Sequence, residues 1–262
     1  NILFMPQSSK QKTGYILILI LTLTSIIALA TQEKIPQDIA YHNFSDVRTL
    51  FIIPNFWNVL SNLPFLIVGF LGLYKLFVKK NLQIINEMKT AYALLFFGVF
   101  LVAFGSGYYH LAPNNQTLVW DRLPMTIAFM AMFAIIIAEF ISIRLGKALL
   151  WPLLIAGVTS VFYWHFTELQ GMGDLRFYAV VQFFPMLVMP VILVCFKPRF
   201  DQLNAYWVLF SSYALAKVFE LFDQFVYDFL GFAISGHSIK HIVPALGLYV
   251  LLIAYQQRRE LE

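Results

Sequence analysis

Cysteine is nearly absent, with Cys195 alone among 262 residues. A single thiol excludes an internal disulfide and any cysteine-rich metal site, and its place in the apolar run PVILVCF points to a buried structural side chain. Charge is also scarce. Asp, Glu, Lys and Arg together make up 12% of the chain, against roughly 25% in soluble domains, so a soluble core does not fit. The formal net charge of +4 is small, and the basic residues lie between apolar runs, so nucleic acid is not an expected partner. No internal repeat is evident, and no stretch is long enough to form a second globular domain.

Apolar residues fill the space that charge leaves, at 60% of the chain with a mean hydropathy of +0.74. Runs of about 20 apolar residues recur from end to end, as an all-α polytopic membrane protein requires. Eight crossings are expected, at about 14–31, 56–77, 91–110, 122–143, 149–166, 177–196, 206–226 and 237–255, the fifth being the shortest. Gly and Pro within them, as at Asn62-Leu63-Pro64 and Phe184-Pro185, are tolerated because neighbouring helices satisfy the freed carbonyls. The first run, after Lys10 and Lys12 and ending in Ala28-Leu29-Ala30, has the outline of a signal peptide. An uncleaved helix is the expectation, and either reading leaves residues 32–55 on the same side.

The connections alternate in charge. Lys10, Lys12, Lys75, Lys79, Lys80, Lys89, Arg144, Lys147, Lys197, Arg199, Arg258 and Arg259 fall on one side. Only Lys34, Arg48, Arg122 and Arg176 fall on the other, together with most of the loop acids. Twelve against four places both termini in the cytoplasm. The expected location is an integral protein of the plasma membrane, the inner membrane if the source is bacterial.

That topology brings five polar residues to one depth, beneath the non-cytoplasmic surface. They are Ser106 and His110 in FGSGYYH, Asp121 in WDRLPM, and His237 and His241 in SGHSIKH. Each is costly in hydrocarbon. A spacing of four puts His237 and His241 on one helix face, and Ser106 and His110 on another. A histidine pair from one helix with a single histidine from a second makes a three-ligand catalytic arrangement with an open position for water. Imidazoles beside a carboxylate suit zinc, and also iron, nickel or copper; hydrolysis needs only a Lewis acid, which zinc supplies. Singly, each residue has a plainer role: Asp121 as a helix cap, Ser106 bonded back to its own helix, the histidines as a polar clasp between helix ends. Glu220 and Asp223, in register with Lys217 on the seventh crossing, are expected in an internal ion-pair network or behind a ligand histidine. His42 reads as a loop residue, His165 as interfacial beside Trp164, and Trp57, Asn58, Ser61 and Asn62 as packing and hydrogen-bonding between helices.

Phe56-Trp57-Asn58, Ser61-Asn62, Gly105-Ser106, His110, Asp121 through Pro124-Met125, and His237 with His241 resemble the alkaline ceramidases and their bacterial relatives over roughly residues 45–255. That family lies within a superfamily of membrane hydrolases that includes the progestin and adiponectin receptors. The resemblance implies a seven-helix core with zinc held by His110, His237 and His241, and with Asp121 and Ser106 beside it. It divides the chain into an N-terminal extension with one additional helix (residues 1–31) and a seven-helix hydrolase domain (residues 32–262). It also implies zinc-dependent hydrolysis of a lipid N-acyl amide, ceramide-like and long-chained, to a fatty acid and an amine. A metal-containing lipid receptor without turnover is the alternative; a transporter or a haem protein fits less of the pattern. Asn55 departs from the glutamate that eukaryotic members carry before Phe-Trp-Asn, and Asp46 is the nearby acid, which argues against a calcium site like theirs.

Overall fold

The computed structural model describes residues 8–261. Residues 1–7 of the N-terminal extension and Glu262 lie outside the described residues. The chain is an all-α bundle. Among the described residues there is no sheet, only two isolated bridges, Leu50 with Ile53 and Phe200 with Glu260. The helices are α1 (Ser9–Thr31), α2 (Phe56–Leu60), α3 (Leu63–Tyr74), α4 (Lys89–Leu111), α5 (Asn115–Phe140), α6 (Ile143–Leu169), α7 (Arg176–Cys195), α8 (Asn204–Leu221), α9 (Asp223–Phe229) and α10 (Gly236–Gln257).

Among the described residues, seven helical segments are long and apolar enough to cross a membrane: Ser9–Thr31, Phe56–Lys79, Asn86–Leu111, Asn115–Phe140, Ile143–Leu169, Arg176–Cys195 and Gly236–Gln257. Helix α8, at 18 residues and carrying Lys217 and Glu220, lies against α10 and is not among them. Several boundaries differ from the sequence expectation for local reasons. The fifth run, expected to be the shortest, is the longest helix at 27 residues. Ser142 starts it early by accepting from the Leu145 N–H, and Pro152 is absorbed inside it. Helix α5 begins six residues before Asp121, because Asn114 Oδ1 accepts from the Gln116 and Thr117 N–H groups in a capping box. The second run breaks at Ser61-Asn62 into α2 and α3, and the seventh ends at Leu221 before the separate α9.

Hydrogen bonds gather the connections at two opposite ends. At one end Gln83 N–H donates to the Tyr255 carbonyl, Arg199 N–H to the Glu139 carbonyl and Arg258 Nε to the Gln83 carbonyl. There the Glu139 carboxylate, pairing with Arg258 at 2.7 Å, accepts from the Tyr92 hydroxyl on α4 and the Tyr206 hydroxyl on α8. At the other end Gln37 N–H donates to Glu168, Leu175 N–H to the Ile35 carbonyl and Ser45 N–H to Asp223. The basic connections named above cluster at the first end, and Lys34, Arg48, Arg122 and Arg176 at the second. Helix α1 packs chiefly on α7, and Arg176 clasps its last turn by donating to the Leu29 and Gln32 carbonyls. Most of its apolar side chains are exposed, as a lipid-facing helix demands.

Candidate metal centre

Two helix starts and one helix end build the centre. Ser235 caps α10 by accepting from the Ser238 N–H, while Asp223 Oδ1 accepts from the His237 N–H at 2.6 Å. Two of the orphan donors at the α10 N-terminus are thereby satisfied, one of them by a carboxylate that also suits the helix dipole. His237 and His241 follow on the buried face of the first turns. His110 closes α4, which lies against α5 so closely that a Cβ on Gly105 would strike the Trp120 carbonyl. That contact fixes Ser106 and His110 of α4 beside Asp121 of α5.

The three histidines converge. Each offers a ligand nitrogen within 4.8 Å of the others, and all three side chains are buried. Their ring centroids lie 4.9 Å (His110–His237), 5.0 Å (His110–His241) and 5.1 Å (His237–His241) apart. His110 Nδ1 and His237 Nε2 are buried without a hydrogen-bond partner. Such orphans are rare in folded chains and need a partner of some kind. A metal ion accounts for both at once, because a neutral imidazole nitrogen without its proton is a ligand. The donor set therefore fits a cation of the zinc type, with hard all-oxygen ions excluded by the ligand chemistry.

His241 shows how a candidate ligand is oriented. Its Nδ1 lies 2.8 Å from Ser61 Oγ, and the same hydroxyl donates to the Asn58 carbonyl at 3.1 Å. With its one proton given to that carbonyl, Ser61 Oγ accepts from His241 Nδ1–H, which leaves Nε2 free to bind an ion. Asn58, fully buried, joins the α2 turn to α10 by accepting from Ser238 Oγ at 2.8 Å and donating to the Asp46 carbonyl at 3.0 Å. Ser61 and Asn58, expected from the sequence to pack and hydrogen-bond between helices, reach His241 and Ser238 in this way. Phe44 was not singled out in the sequence at all. Its ring lies 4.8 Å from His110 and 4.4 Å from His237 and covers the cluster on the side of the connection between α1 and α2. His42, read as an ordinary loop residue, bridges Tyr109 and Asn115 at 2.8 Å each.

The opposite side of the cluster opens on a cavity of about 390 Å³. Ser106, Asp121 and His241 line it near the centre, and Val99, Met132, Ile136, Met189 and Leu193 line its apolar depth. From Asp121 to Ile136 along α5 the walls run about 22 Å, taking 1.5 Å per residue. Asp121 is not a cap, since Asn114 holds that position. Ser106 Oγ is buried beside the Asp121 carboxylate. The carboxylates of Glu220 and Asp223 reach other groups: Glu220 pairs with Lys240 at 2.7 Å and with Lys217 at 2.5 Å, and Asp223 holds the His237 and Ser45 backbones. Neither bonds a histidine ring. Burial, with the Glu220 carboxylate adding to it, raises the Tyr41 phenol above its ordinary value, so its hydroxyl remains a donor toward Glu220.

A family model described as Ceramidase matches residues 45–261. Comparisons with curated proteins and with solved structures give no match.

Proposed function

Because the chain belongs to the ceramidase family, we propose that it hydrolyses a lipid N-acyl amide to a fatty acid and an amine with the help of a zinc ion. The observation that carries this reading is the buried histidine triad with two orphaned ring nitrogens, opening on an apolar cavity long enough for an acyl chain. His110, His237 and His241 would hold the ion. Bound there, zinc supplies a Lewis acid for the amide carbonyl and lowers the pKa of water.

The remaining chemistry falls to the side chains. Asp121 accepts a proton from the attacking water and returns it to the leaving nitrogen as the C–N bond breaks. A new C–O bond forms at the carbonyl carbon, so the products are a carboxylic acid and an amine. The Ser106 hydroxyl, buried beside the Asp121 carboxylate, either donates to the carbonyl oxygen as charge develops or holds the water. Val99, Met132, Ile136 and their neighbours keep the acyl chain out of water. In this reading α1 is an addition to a seven-helix core that includes α8, and the triad faces the non-cytoplasmic side.

Purified full-length chain should hold about one zinc and release fatty acid from a ceramide-like substrate, with activity lost on chelation and restored by zinc. A receptor of the same architecture would bind the lipid yet release no more than one equivalent of product. Inactivity across a panel of lipid amides at full metal occupancy would refute the proposed reaction.

A further inference from the structure

Two arginines are buried in this bundle, and they are treated differently. Arg258 pairs with Glu139, whereas Arg122 reaches no carboxylate among the described residues. Its guanidinium is held between the rings of Trp164 (4.1 Å to the centroid) and Tyr178 (4.6 Å), and Nη2 donates to Gln37 Oε1 at 2.6 Å. Nη1 has no partner. Glu168, at the end of α6, is engaged by Gln37 N–H and Trp164 Nε1 instead. Arg122 follows Asp121 on α5 and lines the same cavity at its outer, polar end, together with Lys217, Lys240 and Glu220. Those five charged residues comprise three cations and two carboxylates. Even with Asp121 counted against one of the cations, a positive charge is left over before any metal ion is added. Buried unpaired charge is expensive, so a site that keeps one is built for a counter-ion.

We propose that Arg122 binds an anionic group on the amine half of the substrate, so that the chain acts on N-acyl amides of carboxylate-bearing amines, the N-acyl amino acid class. This rests on the amide-hydrolase reading and deepens it. The acyl chain runs inward along α5, while the amine half lies outward, where Arg122, Tyr41 and Gln37 meet. Planar stacking between Trp164 and Tyr178 presets the guanidinium for a carboxylate, and the single orphaned Nη1 is the donor it would use.

The test compares N-oleoylglycine with N-oleoylethanolamine, which share an acyl chain and differ in the charge of the head. Binding of each to the detergent-solubilised full chain is measured with radiolabelled lipid, both metal-stripped and zinc-loaded, alongside hydrolysis by the loaded form. Wild type should bind the anionic amide about tenfold or more tightly even without metal, as a charge-assisted hydrogen bond implies. R122Q should bring the two dissociation constants to within about twofold of each other, with R122K between. Equal binding of the pair by wild type overturns the proposal, as does binding of neither, or a preference that survives in folded R122Q. If R122Q does not fold, the wild-type ratio and R122K decide. Preferential binding with no hydrolysis of either amide would keep the anion site at Arg122 and count against the hydrolase reading. Equal binding with hydrolysis of both would do the reverse.

Discussion

Ser61 stands one turn after Asn58 in a helical segment of only a few residues, and its hydroxyl decides which nitrogen His241 presents. Residues that hold a ligand in this way typically affect metal affinity by roughly 10–100-fold when removed. Five residues of the centre should separate by function when changed singly. If the triad holds zinc as proposed, replacing His110, His237 or His241 by Ala should strip most of the metal. Asp121→Asn leaves the three imidazoles in place, so it should keep its metal while turnover falls by roughly 10²–10⁴-fold. Ser61→Ala should fall between, binding zinc more weakly and recovering activity at high zinc. Metal content and activity measured on the same preparations distinguish these outcomes. Full zinc occupancy in His237→Ala would remove it from the ligand set.

The helices are registered by contacts at both ends. Near the centre, Gly105 lets α4 approach the Trp120 carbonyl of α5, and Asp223 ties the start of α9 to the start of α10. At the far end Glu139 is the shared acceptor for α4, α8 and the residue after α10, through Tyr92, Tyr206 and Arg258. Arg258 also lies over Phe200 at 3.9 Å, and the neighbouring carboxylate of Glu139 raises its guanidinium's pKa against the opposing effect of burial. Both charged side chains are 2% exposed, so removing one leaves the other buried and unpaired. Glu139→Gln should therefore cost about 3–5 kcal/mol of stability. Thermal unfolding in detergent reads this directly. A change near zero would mean that the network is redundant for holding these helices.

Across the whole molecule the two ends differ in charge as well as in chemistry. The end that carries Lys75, Lys79, Lys80, Arg144, Lys197 and Arg199 lies opposite the end that carries Ser235, Phe44 and the capping box of Asn114. If the basic end faces the cytoplasm, Gln116→Cys should react in intact cells with a membrane-impermeant thiol reagent, and Asn81→Cys should react only after lysis. Both positions are exposed, and Cys195 is first replaced so that its thiol gives no background. The opposite labelling pattern would invert the topology and leave the metal chemistry intact.

The sequence by itself determined the class of the molecule, because scarce charge and recurrent apolar runs leave helices in lipid as the solution that satisfies every backbone group. It also marked the histidine triad, since a spacing of four on a helix is a local geometric fact and the cost of burying imidazole in hydrocarbon makes each one conspicuous. Helix ends were less legible: Asn114 and Ser142 moved α5 and α6 outward through caps whose strength depends on which donors are within reach. Only the tertiary structure decided that His241 is oriented by Ser61, 180 residues away, that Phe44 covers the cluster, and that Arg122 lacks a carboxylate. Those are relations between segments far apart in the chain. No local period records them, because they arise only when packing brings the segments together and the low-dielectric interior makes each unpaired polar atom count.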